Sequence, residues 1–286
     1  MSTLNRVQAT QLEAILAHPS YRLAHEDHEL LADVDSRPIR LQLELLKPER
    51  YLRRHKIQST VVVFGSARVP SPQQAQAALA DVQARVSSNP EDDSLPAAMT
   101  RARQQVRQSQ YYEVARRFSE IVSRRFQEEG RRDFVVVTGG GPGIMEAANR
   151  GAFDAGARSI GLNITLQHEQ APNPFITPGL CFQFRYFGLR KMHFLMRARA
   201  LVVFPGGFGT MDELFEVLTL VQTGKVRRVP IVLVGTEFWR KAINFDFLIE
   251  EGYIGAQDVQ LFTLVNTVEE IIATLQKFYG GNPPAP

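Results

Sequence analysis

The chain has 286 residues, 44% of them hydrophobic and 22% charged, so it can bury a sizeable core in one large domain or two small ones. Its single cysteine excludes an internal disulfide framework and an all-cysteine metal site. The net charge of +3 permits contact with nucleic acid without requiring it. No apolar run reaches the roughly 18 residues of a membrane helix, and the N-terminus lacks signal-peptide features. We therefore expect a cytoplasmic protein without membrane contact.

Residues 1–58 predict a helical N-terminal extension, with leucines at helical spacing and breaks at Arg37-Pro38 and Lys47-Pro48. From residue 59 to residue 286 the pattern predicts a nucleotide-binding catalytic domain. Within this domain, residues 71–98 are rich in Ala, Gln, Ser and Pro, and they predict a helix followed by a mobile loop, both part of an insertion.

Short apolar runs alternate with amphipathic helices in this domain. The predicted strands are residues 60–64, 134–137, 159–164, 180–184, 201–204, 231–234 and 261–265. The predicted helices include residues 99–129, 186–199 and 268–278, with others ending near 156 and 223 and one beginning near 237. This alternation is typical of a parallel sheet covered on both faces. The predicted fold is a doubly wound, Rossmann-like α/β sheet flanked by helices.

Three loops that follow predicted strands have the composition of phosphate-binding loops. They are Gly65-Ser66-Ala67-Arg68, Thr138-Gly139-Gly140-Gly141-Pro142-Gly143 and Pro205-Gly206-Gly207-Phe208-Gly209-Thr210. Glycine allows close approach of a ligand to the backbone, and a following helix presents free N–H groups to an anion. Tight strand–helix turns also use glycine, which is the competing explanation for any one loop. Ile144 replaces the third glycine of a dinucleotide fingerprint, and no Walker sequence is present.

Glu213 is the candidate catalytic carboxylate. The spacing Thr210-x-x-Glu213 is also that of a capping box, in which Thr210 would be the N-cap and Glu213 would only cap the helix. In a first helical turn, the helix dipole would keep Glu213 ionised. The carboxylate could then act as a base or stabilise a developing cation.

Other residues with chemical potential have simpler explanations. Arg190, His193 and Arg197 share one face of the predicted helix 186–199, and for His193 and Arg197 a solvated basic side is favoured. Cys181 is predicted to be a buried residue of a strand. His25 and His28 have no third ligand in view, so no metal site is predicted.

In combination, these motifs over residues 60–280 resemble the Lonely Guy (LOG) family of phosphoribohydrolases, long mislabelled as lysine decarboxylases. Residues 205–213 fit the family pattern PGGxGTxxE, and Arg190-Lys191 fits an Arg-Lys pair 23 residues upstream of the glutamate. Residues 139–145 and 64–68 look like the family's triple-glycine and Gly-Ser loops. The N-terminal extension and the insertion at 71–98 look like the longer branch of the family.

The resemblance implies hydrolysis of the N-glycosidic bond of a purine nucleoside 5′-monophosphate to free base and ribose 5-phosphate. The substrate would be AMP or an N6-prenylated AMP, as in cytokinin activation. Arg190 and Glu213 would be catalytic. Substrate or phosphate would be bound by Gly65, Ser66, Gly139, Gly140, Gly141, Gly143, Lys191, Gly206, Gly207, Phe208, Gly209 and Thr210, with Arg68, Met145, Glu169 and Asp212 as further candidates. The resemblance implies neither a cofactor nor a metal, and it implies a homodimer or larger homo-oligomer.

Three alternatives belong to other classes. A nucleotide sensor or carrier would use the same glycine loops without turnover. A nucleic-acid binder would use Arg101, Arg103, Arg107, Arg116 and Arg117, but these arginines spread around more than one helix face, so we do not expect nucleic acid as a partner. A decarboxylase would need a lysine that binds pyridoxal phosphate, for which Lys191 and Lys225 are the nearby candidates.

Overall fold

The computed structural model of the protein describes residues 5–89, 91–128, 130–165 and 171–280. Within them, seven strands form one sheet. The strands are β1 (Thr60–Phe64), β2 (Val135–Thr138), β3 (Ser159–Ile164), β4 (Cys181–Phe184), β5 (Ala198–Val203), β6 (Ile231–Val234) and β7 (Phe262–Val265). The spatial order is β4-β3-β2-β1-β5-β6-β7, and every neighbouring pair is parallel. The predicted doubly wound α/β class is confirmed.

Eleven α-helices lie in the described residues. They are α1 (Arg6–Ala17), α2 (His28–Ala32), α3 (Arg37–Arg54), α4 (Pro72–Ser88), α5 (Leu95–Phe126), α6 (Ile144–Asp154), α7 (Phe187–Met196), α8 (Phe208–Gln222), α9 (Thr236–Ala242), α10 (Phe245–Glu250) and α11 (Val268–Tyr279). The segment predicted as an insertion contains α4 and the first residues of α5. No described helix is both long enough and apolar enough to cross a membrane.

The alternation of side chains along each strand divides the core into two clusters, one on each face of the sheet. In β1, Val61 and Val63 pack into the cluster that α5, α6 and α11 cover. Val62 and Phe64 pack into the cluster that α7, α8 and α9 cover. Strands such as β1, β2 and β6 are buried on both faces and therefore read as continuous apolar runs, which is why the sequence revealed them.

Strand order fixes the place for a ligand. From β1 the chain proceeds outward through β2, β3 and β4, then returns to pair β5 with the other edge of β1. The order therefore reverses between β1 and β5. In open parallel sheets, ligands bind beyond the carboxyl ends of the strands at such a point. Two of the predicted glycine loops, those after β1 and β5, begin there.

Tertiary packing corrects two local predictions. The helix predicted over 186–199 ends at Met196, and β5 begins at Ala198 because this segment pairs with β1 in the centre of the sheet. Pro48 does not break α3. The described residues form two compact units that divide after Lys47, whereas the sequence placed the boundary after residue 58. Leu52 and Ile57 are core residues of the second unit, so this segment packs with the sheet domain.

Gly151 allows α5 and α6 to pack with their backbones in contact. A Cβ at this position would lie 2.0 Å from the carbonyl oxygen of Arg116. We expect Gly151→Ala to lower the free energy of unfolding by about 2 kcal/mol, because the helices must separate. Gly188→Ala is the matched control, since its Cβ would meet open space in α7. Urea titration of both variants measures the effect; an unchanged midpoint for Gly151→Ala would contradict the packing described.

Candidate functional site

A cavity of about 810 Å³ opens at the carboxyl ends of β1 and β5. It lies entirely within the second unit. Its walls come from the loops after β1 and β5, from the start of the loop after β2, and from α7, α8 and α9. The lining residues are Phe64, Gly65, Ser66, Ala67, Arg68, Gly139, Met145, Phe187, Arg190, Gly206, Gly207, Phe208, Gly209, Thr210, Met211, Asp212, Glu213, Phe238 and Ala242.

Glu213 lies in the second turn of α8, not in the first, because the helix begins at Phe208 with Gly207 as its N-cap. No side chain caps this end, so the capping-box alternative for Thr210 and Glu213 is wrong. Only 9% of the Glu213 surface is exposed. Burial raises its pKa to about 7, against the opposing effect of Arg190 and then of Lys191. The expectation that the helix dipole keeps this carboxyl readily ionised is therefore also wrong.

Arg190 is a partly buried cation of the same cavity. Its Nε donates a hydrogen bond of 2.7 Å to the carbonyl oxygen of Leu162 in β3, and its guanidinium lies 5.3 Å from the centre of the Phe194 ring. Burial lowers its pKa, and the charge of Glu213 opposes that shift. Gly139 makes room for this side chain, since a Cβ there would lie 2.6 Å from an Nη atom of Arg190. Gly139 thus leaves space for the arginine and also forms part of the cavity wall.

Lys191 does not line the cavity. Its Nζ lies 2.8 Å from a carboxylate oxygen of Asp212 and 3.1 Å from one of Glu216, both on α8. Burial alone would lower the pKa of Lys191, but hydrogen bonds to Asp212 and Glu216 outweigh it and the pKa is raised. The lysine therefore joins α7 to α8 beside the cavity.

The triple-glycine loop is supported from behind by a buried polar network. The Thr138 hydroxyl donates to Asn149 Oδ1 at 2.7 Å and accepts from the Gly140 N–H at 2.9 Å. Asn173 Nδ2 donates to the Gly141 carbonyl and to Asn149 Oδ1, both at 3.0 Å, and the Asn173 N–H donates to the Gly140 carbonyl. The network holds the backbone of this loop in one conformation.

The other two glycine loops meet at the switch point. The Ser66 N–H donates to the Pro205 carbonyl at 3.0 Å, and the Ile144 N–H donates to the Ser66 carbonyl at 3.1 Å. Around them, the first N–H groups of α8 have no intrahelical acceptor and carry the positive end of the helix dipole. Phe208 is 96% exposed at this end. The arrangement offers an anion a backbone donor site next to Glu213 and Arg190.

Most of the predicted site residues lie together in this cavity. Those that line it are Gly65, Ser66, Arg68, Gly139, Met145, Arg190, Gly206, Gly207, Phe208, Gly209, Thr210, Asp212 and Glu213. Four predicted site residues do not line the cavity: Gly140, Gly141, Gly143 and Lys191. Glu169 falls outside the described residues.

The sequence reasoning missed two sets of residues. The cavity wall also contains Phe187, Met211, Phe238 and Ala242, and the supporting network contains Asn149 and Asn173. Phe64 and Ala67 also line the cavity; they lie in the predicted Gly-Ser loop but were not named as site residues. Phe187 and Met211 adjoin the Arg-Lys and PGGFGT motifs, so their positions were a usable signal. Phe238 and Asn173 carried no such signal, because each comes from a segment without a motif.

Three further residues have different surroundings from those expected. His193 is buried and its ring packs against Phe184, and Arg197 forms an ion pair of 2.8 Å with Glu49, so neither lies on a solvated basic side. Cys181 lies in a strand, as predicted, but it is exposed. In the edge strand β4 exposure alternates, with Phe182 and Phe184 on the buried face and Cys181 on the other.

The part of the chain that the structure describes contains no group of three or more His, Cys, Asp or Glu side chains that could hold a metal ion. The residues that line the cavity supply the carboxyl groups of Asp212 and Glu213, the guanidinium groups of Arg68 and Arg190, and backbone N–H donors. Together they can bind an anion and stabilise positive charge beside it.

Sequence comparison connects this site with known proteins. The family model described as "Possible lysine decarboxylase" matches residues 145–275. The probable cytokinin riboside 5′-monophosphate phosphoribohydrolase LOGL3 of Oryza sativa subsp. japonica is 25% identical over 153 residues, covering 50% of this chain and 68% of the relative. The cytokinin riboside 5′-monophosphate phosphoribohydrolase LOG4 of Arabidopsis thaliana is 28% identical over 151 residues, covering 51% and 69%.

Solved structures give weaker likenesses. The structural-genomics target TM1055 is 19% identical, with 77% of this chain and 99% of that chain covered and a TM-score of 0.48. A Moco carrier protein from Chlamydomonas reinhardtii is 17% identical, with 79% and 99% covered and a TM-score of 0.46. Both scores lie below 0.5, so neither likeness bears on what this chain binds.

Proposed function

We propose, from the now confirmed resemblance of this chain to the LOG family, that it hydrolyses the N-glycosidic bond of a purine nucleoside 5′-monophosphate. The products would be a free base and ribose 5-phosphate. The observation that carries this proposal is the joint position of two side chains in one cavity beside the glycine loop after β5: Glu213, which is buried, and Arg190, which is partly buried. The named activity of the rice and Arabidopsis relatives supports it.

Glu213 would stabilise the transition state. Breaking an N-glycosidic bond places positive charge on the ribose ring, in an oxocarbenium-like state. A carboxylate shielded from water stabilises such a charge more strongly than an exposed one, because the local dielectric constant is low. Glu213 would also hold ribose hydroxyls and direct the attacking water.

Arg190 would bind either the departing base or the phosphate of the substrate. Its position is set by the Leu162 carbonyl and the Phe194 ring, so it meets the ligand in a fixed orientation. A guanidinium with prearranged geometry stabilises developing negative charge without reorganisation at the moment of reaction.

The 5′-phosphate would lie at the start of α8. Gly206, Gly207, Phe208, Gly209 and Thr210 border the cavity there, and the backbone N–H groups at a helix start suit an anion. Arg68 lines the same cavity, and among the described residues no carboxylate lies within 4.0 Å of its guanidinium. It is available to a phosphate.

The description of the family model as a decarboxylase does not fit these residues. A lysine that forms a Schiff base must lose its proton, which desolvation or a nearby cation favours. Lys191 instead lies between Asp212 and Glu216, and its pKa is raised. Lys225 lies in an exposed turn after α8 and does not line the cavity.

Incubation of the purified protein with AMP, isopentenyladenosine monophosphate, GMP and CMP tests the proposal. We expect the free base and ribose 5-phosphate in equal amounts from at least one adenine nucleotide, measured by liquid chromatography. Adenosine, which lacks the phosphate, is the control and should react far more slowly because the α8 donors have no partner. Binding of AMP without any release of base would contradict the proposal and favour a sensor or carrier.

A further inference from the structure

A second cavity, of about 440 Å³, adjoins the first. The two cavities share Ser66, Gly206 and Phe238, so they meet across the loops after β1 and β5. The far wall of the second cavity is formed by α5, which contributes Gln104, Arg107, Gln108, Gln110 and Tyr111. No residue of this wall belongs to a motif that carried the proposed function.

The second cavity has an unbalanced positive charge. Glu237 and Lys241 both line it, and they form an ion pair of 2.6 Å with each other. Arg107 has no carboxylate within 4.0 Å among the described residues. Its guanidinium therefore gives the cavity a net positive charge. The side-chain amides of Gln104 and Gln108 add hydrogen-bond donors beside it.

The cavity lies on the phosphate side of the proposed substrate. Gly206 belongs to the loop that would hold the 5′-phosphate, and Pro205 and Gly206 both face the second cavity. A group that extends beyond the 5′-phosphate would pass Ser66 and Gly206 and reach Arg107. Guanidinium and amide donors around an open space match the oxygens of a further phosphate.

We propose that this second cavity binds a phosphate group additional to the substrate's 5′-monophosphate, with Arg107 as its charge partner. The inference rests on the proposed function for the position of the first phosphate. Two sources share this chemistry: the β-phosphate of a nucleoside 5′-diphosphate, and a phosphate of a separate molecule that binds beside the substrate.

Calorimetric titration with pyrophosphate tests the site without depending on turnover. We expect Arg107→Gln to weaken pyrophosphate binding at least about tenfold, because a charge-assisted contact is lost. Arg117→Gln is the matched control, since Arg117 is exposed on the same helix and lines neither cavity. Circular dichroism should show that both variants keep the parent's fold.

Initial-rate kinetics then separate the two sources. If the β-phosphate of the substrate occupies the cavity, ADP will have a lower KM than AMP in the parent, and Arg107→Gln will abolish the difference. If a separate molecule occupies it, pyrophosphate will bind together with AMP and change its kinetic constants without competing for the same site.

The proposal is overturned if pyrophosphate binding is the same in the parent and in Arg107→Gln, or if Arg117→Gln weakens it equally. Failure of the proposed function would look different. In that case no nucleotide would release a base, whereas the dependence of pyrophosphate binding on Arg107 could still be measured.

Discussion

Glu213→Gln is expected to lower kcat for AMP at least about 10³-fold while the fold and AMP binding are retained. The amide keeps the shape of the side chain, but it cannot supply the negative charge that stabilises a cationic ribose, and removal of such a group costs on this order. Release of adenine measures kcat, and equilibrium dialysis with AMP measures binding.

Glu216→Gln is the control for this experiment. Glu216 lies on the same helix, one turn further along, and pairs with Lys191 outside the cavity. Its substitution makes the same chemical change on α8, yet it should change kcat only a few-fold. If Glu213→Gln turns over AMP as fast as the parent, Glu213 does not have the role assigned to it.

The pH dependence of kcat/KM is expected to report the same carboxyl. Burial raises the pKa of Glu213 to about 7, and the proposed mechanism requires the ionised form. Below that pH the rate should fall tenfold for each pH unit, so a loss of about 100-fold is expected from pH 8 to pH 5. The residual activity of Glu213→Gln should show no such transition. A parent rate that rises on acidification would mean that the protonated acid is the active form.

Stability should change with pH in the opposite direction from activity. The folded protein holds the Glu213 proton up to about pH 7, whereas the unfolded chain releases it near 4.5, so the parent loses stability as pH rises through this range. The glutamine variant does not titrate there. Between pH 4.5 and pH 8, the free energy of unfolding of the parent should therefore fall by up to about 3 kcal/mol relative to that of the glutamine variant. Parallel curves for the two proteins would contradict the raised pKa.

The fold could be predicted from the sequence largely because its sheet is buried on both faces. Runs such as Val61-Val62-Val63 and Ile231–Val234 are apolar at every position, so they stand out as buried strands. Glycines mark their ends. The start of β5 could not be predicted, because Arg197 continues the helical spacing of Arg190 and His193 in α7. Only the pairing of Ala198 with β1 makes this segment a strand.

The site could be predicted as a set of loops but not as a set of contacts. Glu213, Arg190 and the PGGFGT loop, which the motifs singled out, line one cavity in the structure. The motifs could not show that Glu213 is buried, because burial is set by tertiary packing and the cavity around it includes residues from α7 and α9, which lie elsewhere in the chain. The catalytic roles and the homo-oligomeric state remain predictions.

Nothing in the sequence separated Arg190 from Lys191, although the two face different surroundings. The first lies in the cavity, and the second forms a bridge to α8 within reach of water, with Asp212 about half exposed. Dissolved ions weaken such a bridge but screen the more deeply placed Arg190 less. As the ionic strength is raised, the contact between α7 and α8 should therefore weaken at salt concentrations that do not yet screen the reacting groups.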